Sequence, residues 1–102
     1  IGIEETEGPA GAFAMGSPNP SPAFSSAAID FTMGGAGRAS LTVFDMAGRI
    51  VTSLLDTELA QGGHSLVWNL ESASGSRVPA GIYTIRFEAP GFATSRNLVV
   101  LR

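Results

Sequence analysis

Short segments in which apolar and polar residues strictly alternate constrain the fold of this chain more than any other feature. Residues 81–88 are the clearest case, because Tyr83, Ile85 and Phe87 alternate with polar side chains. A period of two is that of a β-strand with one buried face. The other segments predicted to be strands are 27–33, 39–44, 50–55, 64–70 and 94–101, preceded by a short apolar piece at 13–15.

Turn-forming residues separate these segments at intervals of about ten residues. Residues 45–49 predict a hairpin turn in which Gly48 takes a positive φ, and residues 34–37 predict a flexible hairpin between two strands. Three prolines within 17–22 exclude a helix or a central strand there and predict an extended edge segment. The predicted fold is all-β, an immunoglobulin-like antiparallel β-sandwich of about seven strands. Its expected core contains Ile29, Phe31, Leu41, Val43, Leu66, Trp68, Tyr83, Ile85, Phe87 and Val100.

Composition narrows the classes of protein to which the chain can belong. Its 102 residues suit one domain, and its charged fraction of 15% is below the usual quarter. It has no cysteine and no lysine, and its net charge is −3. We therefore expect no disulfide and no nucleic-acid partner. No apolar stretch has the length of a membrane helix, so the chain is predicted not to span a membrane.

The first twelve residues differ in composition from the rest. Residues 1–12 are rich in glycine and contain the acidic cluster Glu4, Glu5 and Glu7, which predicts an N-terminal arm or linker. Residues 13–102 are predicted to form the sandwich domain. Because the chain begins at Ile1 rather than at a methionine, we expect a processed precursor or one module of a larger protein.

Five segments occur in the order and spacing of a known family. The chain resembles the C-terminal domain that serves as the sorting signal of type IX secretion, and it is similar to the Ig-like domain of flagellar hook-capping proteins. The resemblance covers residues 13–102. The segments are SPNP at 17–20, VFDMAGRIV at 43–51, GHSLVWN at 63–69, GSRVPAGIY at 75–83 and NLVVLR at 97–102.

The resemblance implies a seven-stranded sandwich at the C-terminal end of a large exported protein. It also implies passage across the outer membrane, and a location outside or on the surface of a Gram-negative bacterium. The residues that match the family motifs in structural positions are Pro18, Asn19, Pro20, Asp45, Gly48, Arg49, Trp68, Gly81 and Tyr83. The residues of the sorting end implied by the resemblance are Leu98, Val100 and Arg102.

Residues able to perform catalysis or hold a metal are few. His64 is the single histidine, and a zinc site needs three or four nitrogen, sulfur or carboxylate ligands. A Ser-His-Asp triad could include His64 with Asp30 or Asp45, but no Gly-x-Ser-x-Gly motif is present. The glycines of 34–37 lack the Lys and Ser/Thr of a phosphate-binding loop. We therefore expect no enzyme activity, no cofactor and no metal.

Two classes of function remain. The first is a non-catalytic secreted structural module for cell-surface sorting, attachment or self-assembly, including a processed subunit of an extracellular filament. Its expected partners are copies of itself or the export and cell-surface machinery. The alternative is a carbohydrate-binding accessory module of a larger secreted protein. That function requires a row of exposed aromatic side chains, for which Phe24, Phe44 and Phe92 are the candidates.

The N-terminal arm is the candidate element for self-assembly. Ile1 and Ile3 alternate around a glycine, and Phe13 and Met15 alternate around an alanine. Open sandwiches have edge strands whose unpaired backbone groups can accept an added strand. We expect the arm to pack on a neighbouring copy by strand addition or groove filling. The other possibility is that the arm folds back on its own domain.

Overall fold

The computed structural model describes residues 12–101, which form seven β-strands. The strands are β1 (Ala14–Met15), β2 (Ala27–Met33), β3 (Gly37–Phe44), β4 (Ile50–Leu59), β5 (Gly62–Trp68), β6 (Gly81–Ala89) and β7 (Phe92–Val100). They belong to two sheets with the orders β1-β2-β5 and β4-β3-β6-β7, and every strand pair is antiparallel. The predicted all-β sandwich of about seven strands is confirmed.

The connection after β2 was predicted wrongly. Residues 34–37 were expected to form a hairpin, but β2 pairs with β5 whereas β3 pairs with β4 and β6. The chain therefore crosses from one sheet to the other at this point. The physical reason is that β2 and β3 each have one fully buried apolar face. When the two strands lie in different sheets that pack face to face, each apolar face is covered by the other sheet. Pairing the strands side by side in one sheet would not cover either face.

The core lies between the two sheets and consists of the alternating apolar residues. Nine of the ten expected core side chains are buried, and Phe31 and Phe87 meet across the sheets with ring centroids 5.1 Å apart. Leu66 is half-buried. β5 is an edge strand of its sheet, so the side chain of Leu66 has a neighbouring strand, β2, on one side only. None of the described polar or charged residues is buried.

The ends of β4 and β5 differ from their predicted positions. β4 continues to Leu59, because its second half pairs with the beginning of β3 from Gly37 onwards. β5 ends at Trp68 rather than at residue 70, because Leu70 has a φ of 62° and leaves the strand conformation. Leu70 is nevertheless fully buried, so burial of its side chain offsets the cost of left-handed backbone.

The proline-containing segment closes one side of the sandwich. Asn19 exchanges two backbone hydrogen bonds with Ala28 of β2. Further along, the Ala23 N–H donates to the Val99 carbonyl at 2.8 Å, and the Leu101 N–H donates to the Ala23 carbonyl at 2.9 Å. The segment thus runs along the first sheet and then along the end of β7. The edge position predicted from its prolines is confirmed, but the predicted extended form is not, because the chain bends at residues 20–22 between its two bridges.

A candidate interaction site at the motif-bearing end of the sandwich

The turn between β3 and β4 is organised by one carboxylate. Asp45 Oδ1 accepts hydrogen bonds from the backbone N–H groups of Ala47 at 2.9 Å and Arg49 at 3.0 Å. Asp45 Oδ2 pairs with the Arg49 guanidinium at 3.3 Å. Gly48 has a φ of 84°, which a side chain would strain. The hairpin turn and the positive φ predicted from the sequence are confirmed.

These contacts also set the charge state of Asp45. The backbone N–H of Arg49 makes the largest contribution and lowers the pKa of Asp45 below its usual 3.8. Desolvation opposes this shift, while the Ala47 N–H and the positive charge of Arg49 reinforce it. The turn therefore holds an ionised carboxylate beside an exposed guanidinium.

Two aromatic side chains anchor the loop between β5 and β6. Trp68 is buried and donates its Nε1–H to the Glu71 carbonyl at 2.9 Å. The Tyr83 hydroxyl donates to the Pro79 carbonyl at 2.6 Å. The two rings meet edge to face with centroids 5.7 Å apart. Each end of the loop is thereby tied to the core. A tyrosine hydroxyl bonded to the backbone a few residues upstream is a known feature of immunoglobulin-type sandwiches.

Two shallow grooves border these anchoring residues. One, of about 280 Å³, is lined by Met46 and Ile82, with the motif residues Asp45, Arg49 and Tyr83 beside them. The other, of about 410 Å³, has Ile50 in its wall and shares Asp45 and Tyr83 with the first. We call this surface the motif end and define it by Asp45, Met46, Arg49, Ile50, Ile82 and Tyr83.

The motif end exposes large apolar side chains. Met46 is 77% exposed, Ile50 68% and Ile82 44%. Isolated exposed apolar residues are ordinary, but grouped ones around a groove mark interaction sites. None of these three residues was predicted from the sequence to lie in a site. A signal was present for two of them, because Met46 and Ile50 are large apolar residues within and directly after a predicted turn, whereas Ile82 lies in a strand and gave no such signal.

The structure places the residues expected to form the sorting end inside the domain. Leu98 and Val100 are fully buried, so the folded domain does not offer their side chains to a partner. Both lie on the face of β7 that is directed at the three-stranded sheet, in keeping with the expected burial of Val100, and their role in sorting stays a prediction. Arg102 lies outside the described residues.

Two of the four residues assigned to the assembly arm also belong to the sandwich. Met15 is 2% exposed in β1, and Phe13 stacks on Phe92 with centroids 5.6 Å apart. This corrects their assignment to a neighbouring copy, because the apolar face of β1 is used by its own core. Ile1 and Ile3 lie outside the described residues, as does nearly all of the 1–12 arm.

The remaining motif residues have structural contacts. Asn19 is paired with β2, Pro18 beside it is buried, and Pro20 lies at the surface. Gly81 begins β6 opposite Val100. These positions direct the chain between sheets and do not converge on a cavity with catalytic groups.

A further concavity, of about 420 Å³, lies elsewhere and contains His64, Ser65 and Asp30. They do not form a relay, because His64 Nε2 is hydrogen-bonded to the Ala60 carbonyl at 2.8 Å and its ring stacks on Phe31. Among residues 12–101, no three histidine or carboxylate side chains are grouped closely enough to hold a metal ion. The part of the chain that the structure describes also contains no helix long and apolar enough to cross a membrane.

The aromatic row required for carbohydrate binding is not formed by its candidates. Phe24 is 62% exposed. Phe44 and Phe92 are half-buried, and Phe92 is held between Phe13 and Phe87. The expectation that all three are exposed is therefore wrong for two of them.

Solved structures share this fold. Dimeric latent PorU from Porphyromonas gingivalis superposes with a TM-score of 0.70 at 20% identity, over 88% of this chain and 9% of that protein. PorZ, described as an essential bacterial surface component of the type IX secretion system of the same organism, has a TM-score of 0.55 at 18% identity, over 88% of this chain and 11% of PorZ. FlgD from P. aeruginosa has a TM-score of 0.58 at 18% identity, over 72% of this chain and 59% of FlgD.

At these identities the likeness establishes the fold alone, and this chain spans about a tenth of PorU and PorZ. No curated protein sequence matches it. The family model of the FlgD Ig-like domain matches residues 21–91, which include the Asp45 turn, Trp68 and Tyr83. The chain therefore belongs to the FlgD Ig-like domain family.

Proposed function

We propose that this chain is a non-catalytic attachment module of a protein on the surface of a Gram-negative bacterium, and that its motif end binds the export or cell-surface machinery. The observation behind this proposal is the grouping of Met46, Ile50 and Ile82 around two grooves. Exposing such side chains to water is unfavourable, and a partner that covers them regains this free energy.

The chemistry of the motif end suits a protein partner. Its centre is apolar, while its edge has the Asp45 carboxylate and the Arg49 guanidinium, whose side chain is 81% exposed. An apolar centre with a polar rim is the usual arrangement of protein interfaces. The turn is held by several hydrogen bonds, so binding would require little ordering of the chain.

The comparisons support a location in the cell envelope. PorZ is described as a surface component of the type IX secretion system, and the resemblance in sequence points to the same system. In this proposal the folded surface of the domain is recognised. Leu98 and Val100 contribute indirectly, by holding β7 in the core.

The proposal can be tested by surface display. A reporter protein is fused to the N-terminal side of this chain in a bacterium that has type IX secretion. Surface labelling is compared for the natural sequence and for Met46→Ser/Ile50→Ser/Ile82→Ser. We expect the triple variant to remain folded and to lose most of the surface signal.

The matched control is Phe24→Ser, which removes another apolar side chain, 62% exposed, outside the motif end. It should leave the display unchanged. Equal display of the triple variant and the natural sequence would overturn the proposed role of the motif end.

A further inference from the structure

Within the described residues 12–101, strand β5 has one side without a backbone partner. The Ala28 N–H and carbonyl both bond Asn19, and the Asp30 carbonyl accepts from Gly16, so these residues of β2 point away from β5. In an antiparallel ladder the backbone N–H and carbonyl groups of successive residues are directed to opposite sides of the strand, so those of Ile29 are directed towards β5. The pairs that exchange hydrogen bonds between β2 and β5 are therefore Ile29 with Leu66 and, two residues away on each side, Ala27 with Trp68 and Phe31 with His64.

It follows that three residues of β5 direct their backbone N–H and carbonyl groups away from β2, towards the free edge of the sheet. Gly63, Ser65 and Val67 alternate with the residues bonded to β2, and all three residues are exposed on the outer face of the sheet. Within residues 12–101 no strand or loop pairs with the N–H and carbonyl groups of these three residues.

The other strand edges are protected. β4 is bulged twice opposite β3, has the exposed acidic residues Asp56 and Glu58, and uses its Val51 carbonyl to accept from Ala73. Bulges and charges are devices that prevent edge pairing. β5 pairs with β2 in unbroken register and contains no charge, no proline and no bulge.

The edges of β1 and β7 are closed against each other. The Met15 carbonyl of β1 accepts from Arg96 Nε at 3.0 Å, and the Val99 carbonyl of β7 accepts from Ala23. Among the four sheet edges of the described domain, β5 is therefore the one that is neither covered by another segment nor protected by bulges or charges. A free edge of this kind is suited to strand addition.

We propose that β5 pairs with β5 of a second copy of this chain, antiparallel about a two-fold axis at Ser65. Ser65 then faces Ser65 of the partner subunit, and Gly63 faces Val67 of the partner subunit. Three residue pairs each exchange two N–H···O=C bonds. The exposed Val67 lies opposite a glycine, which has no side chain to oppose it.

Charge favours a second copy over the N-terminal segment as the occupant. A two-fold axis places each residue near its own equivalent, so a strand without charges meets no like charge. Asp30 neighbours Ser65 on β2, and the two Asp30 side chains would be three strand spacings apart, ~14 Å, beyond the Debye length. Residues 1–7 contain three glutamates, which Asp30 beside Ser65 would disfavour at this edge.

The test is the concentration dependence of the sedimentation coefficient of the full 102-residue chain. We expect a monomer–dimer equilibrium, with the amide exchange of Gly63, Ser65 and Val67 slowing as dimer forms. Ser65→Pro removes an outward N–H without touching the ladder to β2, and proline is accepted at such edge positions. Ser65→Lys places like charges opposite each other. Each variant should weaken the dimer about tenfold or more.

The matched control is Ser53→Lys on the exposed face of β4, which should leave the dissociation constant unchanged. A chain that stays monomeric at all concentrations, or a dimer unaffected by both Ser65 variants, would overturn the proposal. Deletion of residues 1–11 distinguishes the occupants. Loss of association on deletion would assign the edge to the N-terminal segment and reject β5 pairing. The result is independent of surface display, since the motif end is a different surface.

Discussion

Replacing Tyr83 by phenylalanine removes one hydroxyl group and leaves the rest of the buried ring in place. Tyr83 is 5% exposed, and its hydroxyl donates to the Pro79 carbonyl at 2.6 Å. Without this donor the carbonyl loses a partner in a partly buried position, which costs about 1–3 kcal/mol. For a domain of this size, each kcal/mol lowers the melting temperature by roughly 4–8 °C.

The assay is urea unfolding at neutral pH, followed by the fluorescence of Trp68, the single tryptophan of the chain. Its ring contacts Tyr83 edge to face, so the signal reports on the same part of the core. Thr84→Val is the control, because it also removes a hydroxyl, one whose bond to Asn97 at 3.1 Å is exposed. We expect that control to change stability by less than about 0.5 kcal/mol. Equal effects of the two substitutions would refute the view that the Tyr83 hydroxyl anchors the loop.

Two further predictions concern the turn between β3 and β4. Because the folded state lowers the pKa of Asp45, its carboxylate stabilises the fold above the ordinary pKa of 3.8, and this contribution is lost as pH falls through the lowered value. Asp45→Asn should therefore reduce the loss of stability between neutral and acid pH in urea titrations, and an unchanged pH dependence would contradict this reasoning. Gly48→Ala should cost about 1–2 kcal/mol, because an L-residue at φ 84° is strained although the space around it is open. Gly63→Ala, where φ is not positive and space is also open, should cost less in the same unfolding assay, and a cost equal to that of Gly48→Ala would argue against backbone strain.

Several residues that carry the family resemblance lie together at the motif end of the sandwich. Asp45, Gly48 and Arg49 form a tight turn, and Trp68 and Tyr83 hold the neighbouring loop. These are architectural roles, and they place Met46, Ile50 and Ile82 on a rigid support. In the proposed function, the motif acts by shaping this surface.

Local properties of the chain could be predicted from the sequence. The alternation in residues 81–88 and 27–33 identified strands and their buried faces, because side-chain direction in a strand depends only on position along it. The turn at Asp45 and Gly48 was predicted for the same reason, since its hydrogen bonds join residues at most four apart. The edge position of the proline segment was also predictable, because proline lacks the N–H that a central strand needs.

Relations between distant residues were decided by the tertiary structure. Alternation shows that a strand has a buried face, but it does not show which strand lies beside it, so the crossing between β2 and β3 could not be predicted. The burial of Met15, the exposure of Ile82 and the free edge of β5 depend in the same way on which strands become neighbours. Strand pairing is a long-range choice, made by the total apolar surface that the two sheets bury together.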